Sequence, residues 1–180
     1  MADNRTVTTE NAASWTQTQL AAALWQFSLG FYPNRQQLLL RLQDEHHANI
    51  NLLLCICWLS LQERQLTEAQ LTQMVAAIAP VNLQVTQPLR QIRRQLTAET
   101  LPLKSALLAA ELQAEQQEQL ALAKVLADSW SDFAKLNCAK TALQAYLFMG
   151  SADLAALQPL LVDLDQAIHG YTPNHGETLI

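Results

Sequence analysis

Apolar residues along this chain recur at helical spacing from near the start. Leu20, Leu24, Phe27 and Phe31, with Trp25 and Leu29 beside them, form one stripe. Ser14, with Gln17 three residues on, predicts the start of this first helix. Tyr32-Pro33-Asn34 predicts its end. Asn34 is read as the cap of a second helix, Arg35 to about Glu45, with Gln37 at the third position. A third runs from about Ile50 to Gln62 and is oily on every side. Thr67-Glu68-Ala69-Gln70 reads as a capping box opening a fourth helix that ends near Pro80. Thr86 or Gln87, followed by Pro88, opens a short fifth. Thr100, with Pro102 in the first turn, opens a long helix to about Asp128. Another is expected from Ser131 or Asp132 through Phe148, ended by Gly150. Ser151 is expected to cap the last helix and Gly170 to close it.

The predicted fold class is therefore all-α: a compact irregular bundle of about six to eight helices around a buried central helix, Ile50 to Leu61. Residues 1–13 are read as a disordered arm, 14–170 as one helical domain and 171–180 as a loose tail. No internal repeat or interdomain linker is visible.

Composition agrees with this picture. Of 180 residues, half are apolar, enough for a sizeable core, and Gly (4) and Pro (6) are scarce. Leu, Ala and Gln dominate, and all suit helices. Charged residues are 15 % and the net charge is -5, which argues against non-specific nucleic-acid binding. The N-terminus lacks a signal-peptide pattern. The longest oily run is too short for a bilayer, which needs roughly 20 residues. The three cysteines, Cys55, Cys57 and Cys138, form no disulfide framework and are read as small buried hydrophobes in a reducing cytosol.

The join between the second and third helices, LQDEHHANINLLLCICWLSL (residues 42–61), gathers polar groups. His46 and His47 suit the negative end of a helix, and His47 or Ala48 must turn the corner. Asn49 is a good N-cap for the third helix. Asn51, buried in its first turn, must find partners for its amide and is expected to tie the helix end to a neighbour. Glu45, His46 and His47 point about 100° apart on a helix and cannot converge on a metal. No HxxxH or ExxH pattern accompanies them; His169 and His175 are far along the chain. No metal and no cofactor is predicted.

The same run, with PLRQIRRQL (88–96), ELQAEQQEQL (111–120) and LWQFSLGFY (24–32), resembles a family of uncharacterised, mostly proteobacterial proteins, domain of unknown function 2390. The resemblance covers roughly residues 20–125. That signature has Gly where this chain has His47 and Asp where it has Asn49. His47 therefore looks like a left-handed corner and not a shared catalytic group. The resemblance implies an all-helical cytosolic bacterial protein and brings no activity with it.

Arg90, Arg93 and Arg94 share one face of a short helix, and Glu111, Glu115 and Glu118 share one stripe of the long one. The arginine face is expected to meet the glutamate stripe, since guanidinium groups pair bidentately with carboxylates. A binding role for the arginines toward a phosphate or acidic partner would need them unpaired. Trp25, Trp58, Trp130, Phe27, Phe31 and Tyr32 are expected in the core or around an apolar pocket, and Trp15 exposed. No Ser/His/Asp order, glycine-rich phosphate loop or zinc pattern is present.

The leading expectation is a cytosolic protein-interaction or adaptor module with an unknown protein partner. The alternative is a small enzyme or ligand-binding protein with a helical pocket lined by Asp44, Asn51, Arg90, Arg94, Glu111 and Glu115, with Arg93 beside them. A pocket that collects Asp44 with those charges supports the alternative; a fully packed core removes it.

Overall fold

The computed structural model describes residues 15–97, 101–135, 139–150 and 154–172. The expected arm, Ser14, Cys138, Ser151, His175 and most of the tail fall outside them. Eight α-helices are seen among these residues: α1 (Gln17–Phe31), α2 (Gln36–His46), α3 (Ile50–Leu61), α4 (Glu68–Val81), α5 (Gln87–Gln95), α6 (Leu101–Ser129), α7 (Ala139–Gly150) and α8 (Leu154–His169). The all-α class holds. Its one supplement is a two-residue antiparallel pairing, β1 (Arg64–Gln65) with β2 (Ala134–Lys135).

α3 is the centre, buried at every position from Asn51 to Ser60. A helix that is apolar all round can satisfy its surface only by being surrounded. Its Trp58 packs on Trp130, ring centroids 5.9 Å apart. Phe27 and Phe31 of α1 stack at 5.0 Å, and Tyr171 meets both edge-on. Trp15 is half-buried against the same core instead of exposed.

Local signals set several boundaries. Thr67 caps α4 in a reciprocal box with Gln70. The first helix is capped by Thr16 with Gln19, one box later than the Ser14 expectation. Asn34 does not cap the second. Pro33–Arg35 form a single 3-10 turn that leads directly into α2 at Gln36.

The largest departure from the sequence reading is the join of α4 and α5. Pro80 does not end the helix. The chain continues through a π-helical turn, Asn82–Thr86, in which the Gln87 N–H donates to the Asn82 carbonyl. Pro88, at the start of α5, lacks an N–H and its ring crowds the Gln84 carbonyl in the turn before it, a misfit that the wider π turn accommodates. α4, this turn and α5 form one bent unit lying along α6.

A buried carboxylate hub beside a charged cleft

α2 ends at His47, whose φ of 57° is left-handed, and the Ala48 N–H returns to the Leu42 carbonyl at 3.1 Å. Asn49 then caps α3, its Oδ1 accepting from the Leu52 N–H at 2.9 Å. The corner aims two asparagine amides at one group. Asn49 Nδ2 (2.8 Å) and Asn51 Nδ2 (3.0 Å) both donate to Glu118 Oε2. On the other side, Asn82 Nδ2 (3.1 Å) and the Thr86 hydroxyl (2.6 Å) donate to Glu118 Oε1.

Glu118 is fully enclosed, with 0 % of its surface exposed, and these four donors are all neutral. They fill the acceptor positions that a carboxylate offers. The positive end of α3 adds to them, because Asn49 and Asn51 belong to its cap and first turn. Each amide is oriented by its other end as well. Gln119 Nε2 donates to Asn51 Oδ1 at 3.0 Å and to Ser28 Oγ at 2.9 Å, and Gln87 Nε2 donates to Asn82 Oδ1 at 2.7 Å. The Asn49 N–H reaches the Tyr146 hydroxyl at 2.7 Å, and burial pushes that phenol above its ordinary range. α1, α3, α6, α7 and the π turn are thereby tied together.

Higher on the same stripe of α6, Glu111 is buried and meets two arginines. Arg90 Nε donates to its Oε1 at 3.1 Å; Arg93 donates to Oε1 through Nη2 at 3.2 Å and to Oε2 through Nε. The fork match holds the Arg93 charge, raising its pKa further. Arg90 Nη2 also donates to Glu115 Oε1 at 2.9 Å. The expected meeting of arginine face and glutamate stripe is thus found for Glu111 and Glu115. Arg94 instead reaches Asp44 on α2, at 2.7 Å, and this exposed pair holds the Asp44 carboxyl below its ordinary range.

These charges line part of a cleft of about 690 Å³ between α1, α2, α3, α5 and α6. Asp44, Asn51, Arg90, Arg93, Arg94, Glu111 and Glu115 all face it. Trp25, Leu29, Tyr32, Leu40, Leu54 and Leu112 supply its apolar lining. The volume and the apolar-with-few-polar character suit a small organic ligand. Two groups there have moved pKa values. Burial raises Glu115 despite its arginine neighbour, and burial raises Tyr32. A second recess of about 570 Å³ shares Gln43, Asp44, Arg90 and Arg94 with the first and reaches Asn49, Asn82 and Gln87.

Sequence reasoning placed Glu118 among the arginine partners and passed over Gln119, Asn82 and Thr86. The residue numbers did carry a signal. Asn82, Thr86, Arg90 and Arg93 form one stripe, provided the helix does not stop at Pro80. Cys55 and Cys57 are buried thiols; burial lifts Cys55 to about 12 and Cys57 upward as well. No group of three His, Cys, Asp or Glu is arranged to hold a metal among the described residues. His46 is buried, His47 exposed, and His169 turns Nδ1 to the Asp165 carbonyl at 2.8 Å. No helix among the described residues is long and apolar enough to cross a membrane.

Fold and site together define an all-helical protein with an amphipathic cleft set beside a buried polar hub. Residues 23–122 match the profile of a protein family of unknown function, DUF2390, and the chain belongs to that family. The matched segment runs from within α1 to about three quarters of the way along α6, and so contains every residue of the hub except Tyr146. No curated protein and no solved structure matches.

Proposed function

We propose that the protein binds a small amphipathic molecule in the cleft between α1, α2, α3, α5 and α6. The observation that carries this reading is that all seven candidate polar residues line the same cleft as Trp25, Leu29 and Leu112. A structural ion network alone does not require apolar side chains beside it around an open space of about 690 Å³. The ligand's apolar body would lie on Trp25 and the leucines and its polar end against the α5–α6 charges.

Native mass spectrometry of gently purified protein tests the reading. The wild type is expected to carry an added organic mass on each chain. Ala109→Trp, which projects an indole into the cleft from its exposed wall, is expected to lose it. A bare wild-type chain, or an adduct unaffected by Ala109→Trp, overturns the reading.

A second reading, the protein-interaction module, draws support from Leu29, Leu108 and Leu112, which rim the cleft and are about half exposed. An amphipathic segment of a partner would then lay its apolar face on that rim. Leu108→Glu is expected to abolish the capture of a partner while leaving the thermal midpoint unchanged. Retained capture removes this reading.

A further inference from the structure

One part of the bundle has no core of its own. Among the described residues, no side chain from Gln87 to Ala110 is buried, so α5 and the first turns of α6 make a thin two-helix unit. One side of this unit borders the cleft. The other side carries Val85, Ile92 and Leu103, which are 42 %, 48 % and 52 % exposed and line neither recess.

The bonds between the helices show why these residues share a face. Thr86, Arg90 and Arg93 point at Glu118, Glu115 and Glu111 on α6. Val85, Leu89 and Ile92 each come one residue earlier and are turned about 100° to one side. Arg94 comes one residue after Arg93 and turns the other way, to Asp44 beside the cleft. On α6, Glu111 faces α5 and Leu112 after it lines the cleft, so Ala110 before it faces away. Leu103 and Ala106 precede Ala110 by seven and four residues and lie on its stripe. The side away from the cleft is therefore an apolar ridge, Val85, Leu89 and Ile92, beside Leu103 and a shallow strip of Ala106 and Ala110.

None of these six residues is ionisable. The arginines of α5 are matched within the chain, Arg90 and Arg93 by Glu111 and Glu115 and Arg94 by Asp44. The chain as a whole carries a net charge of -5, so two copies repel over most of their surface. An uncharged face is where they can approach, and it offers an acidic or basic partner nothing to select.

We propose that a second copy of the chain docks on this face and that the two α5–α6 units form a four-helix bundle. A twofold axis running along the helices lays the α5 ridge of each copy on the Ala106–Ala110 strip of the other, so one surface supplies both the bulk and the groove. The face lies opposite the cleft, and the proposal does not depend on a ligand there.

Sedimentation equilibrium of the full chain tests it from about 1 µM to about 300 µM, the range in which a small apolar interface associates. A monomer–dimer equilibrium is expected. Ile92→Glu sets two unpaired carboxylates into the interface and is expected to weaken the dimer about tenfold or more. Leu103→Glu is expected to do the same from the other helix, in a first turn that favours an acid. Leu108→Glu, on the cleft side, is expected to leave the dimer intact. A monomer at every concentration overturns the proposal. So does a dimer that survives both Ile92→Glu and Leu103→Glu, or one lost only in Leu108→Glu, which moves the interface to the cleft rim. Should Ile92→Glu fold poorly, the contrast between Leu103→Glu and Leu108→Glu carries the decision.

Discussion

Glu118 on α6 receives the side-chain amide of Asn51 from the first turn of α3 at 3.0 Å, with no cation among its four donors. A lone buried charge is costly unless its lone pairs are filled, and here neutral dipoles and a helix start fill them. The stability of the α3–α6 join therefore depends on acceptor geometry as well as on charge.

Glu118→Gln keeps the shape and replaces two acceptor positions with donors. The Thr86 hydroxyl can turn round to accept, but Asn82 Nδ2 cannot, because Asn82 Oδ1 is taken by Gln87. The variant is expected to lose roughly 1–3 kcal/mol for the stranded donor. Glu118→Leu strands all four and is expected to lose more. Urea unfolding of the three proteins gives the comparison. Equal midpoints would show that the hub contributes nothing.

Two ion pairs a few residues apart should differ sharply in worth. Glu111→Ala leaves Arg93 and part of Arg90 without their buried partner, and a loss of about 3–5 kcal/mol is expected. Asp44→Ala removes an exposed partner of Arg94, with an expected loss of about 0–1 kcal/mol. Thermal midpoints of both variants check the ranking; similar losses would contradict the burial argument.

Glu115 gives a pH dependence of a definite sign. Its carboxyl is raised in the folded chain above the ordinary 4.5 by burial, so the folded state holds the proton more tightly than the unfolded state does. Stability should fall as pH rises from 4.5 through the folded-state value, then level off. Asp44 acts oppositely. Its carboxyl is lowered from 3.8, so its contribution is present above that value and lost as pH falls through the lower folded one. Denaturation midpoints from pH 3 to 7 should show the decline just above pH 4.5 in the wild type and its absence in Glu115→Gln. A decline that survives the substitution assigns it to another group.

His47 holds a left-handed φ of 57° that costs a side-chain-bearing residue about 1–2 kcal/mol. Glycine relieves that strain but adds freedom to the unfolded chain. His47→Gly is expected to gain up to about 1 kcal/mol, a rise of roughly 2–4 °C for a chain of this size. A lowered midpoint would mean that the imidazole makes a contact worth more than the strain.

What was readable in the chain was local. The oily run fixed α3 as the centre, because ten consecutive residues from Asn51 to Ser60 leave no polar face to turn outward. The Asn49 cap, the His47 corner and the Thr67–Gln70 box each depend on atoms within a few residues of one another. The Arg90–Glu111 pairing was readable too, since residues spaced by three and four on two helices can match once they lie side by side.

Tertiary structure decided the rest. Pro80 reads as a stop, but packing of Asn82 and Thr86 against α6 carries the helix past it through a π turn. Glu118 shares the angular stripe of Glu111 and Glu115, yet stands about 10 Å further along the axis than Glu111, seven residues on. At that height its neighbours are Thr86 and Asn82 instead of arginines, because α5 and the π turn run antiparallel to α6. The cleft has the same origin: apolar side chains of α1 and charged ones of α5 reach one cleft because both helices pack on α6, a consequence of packing that no spacing along the chain encodes.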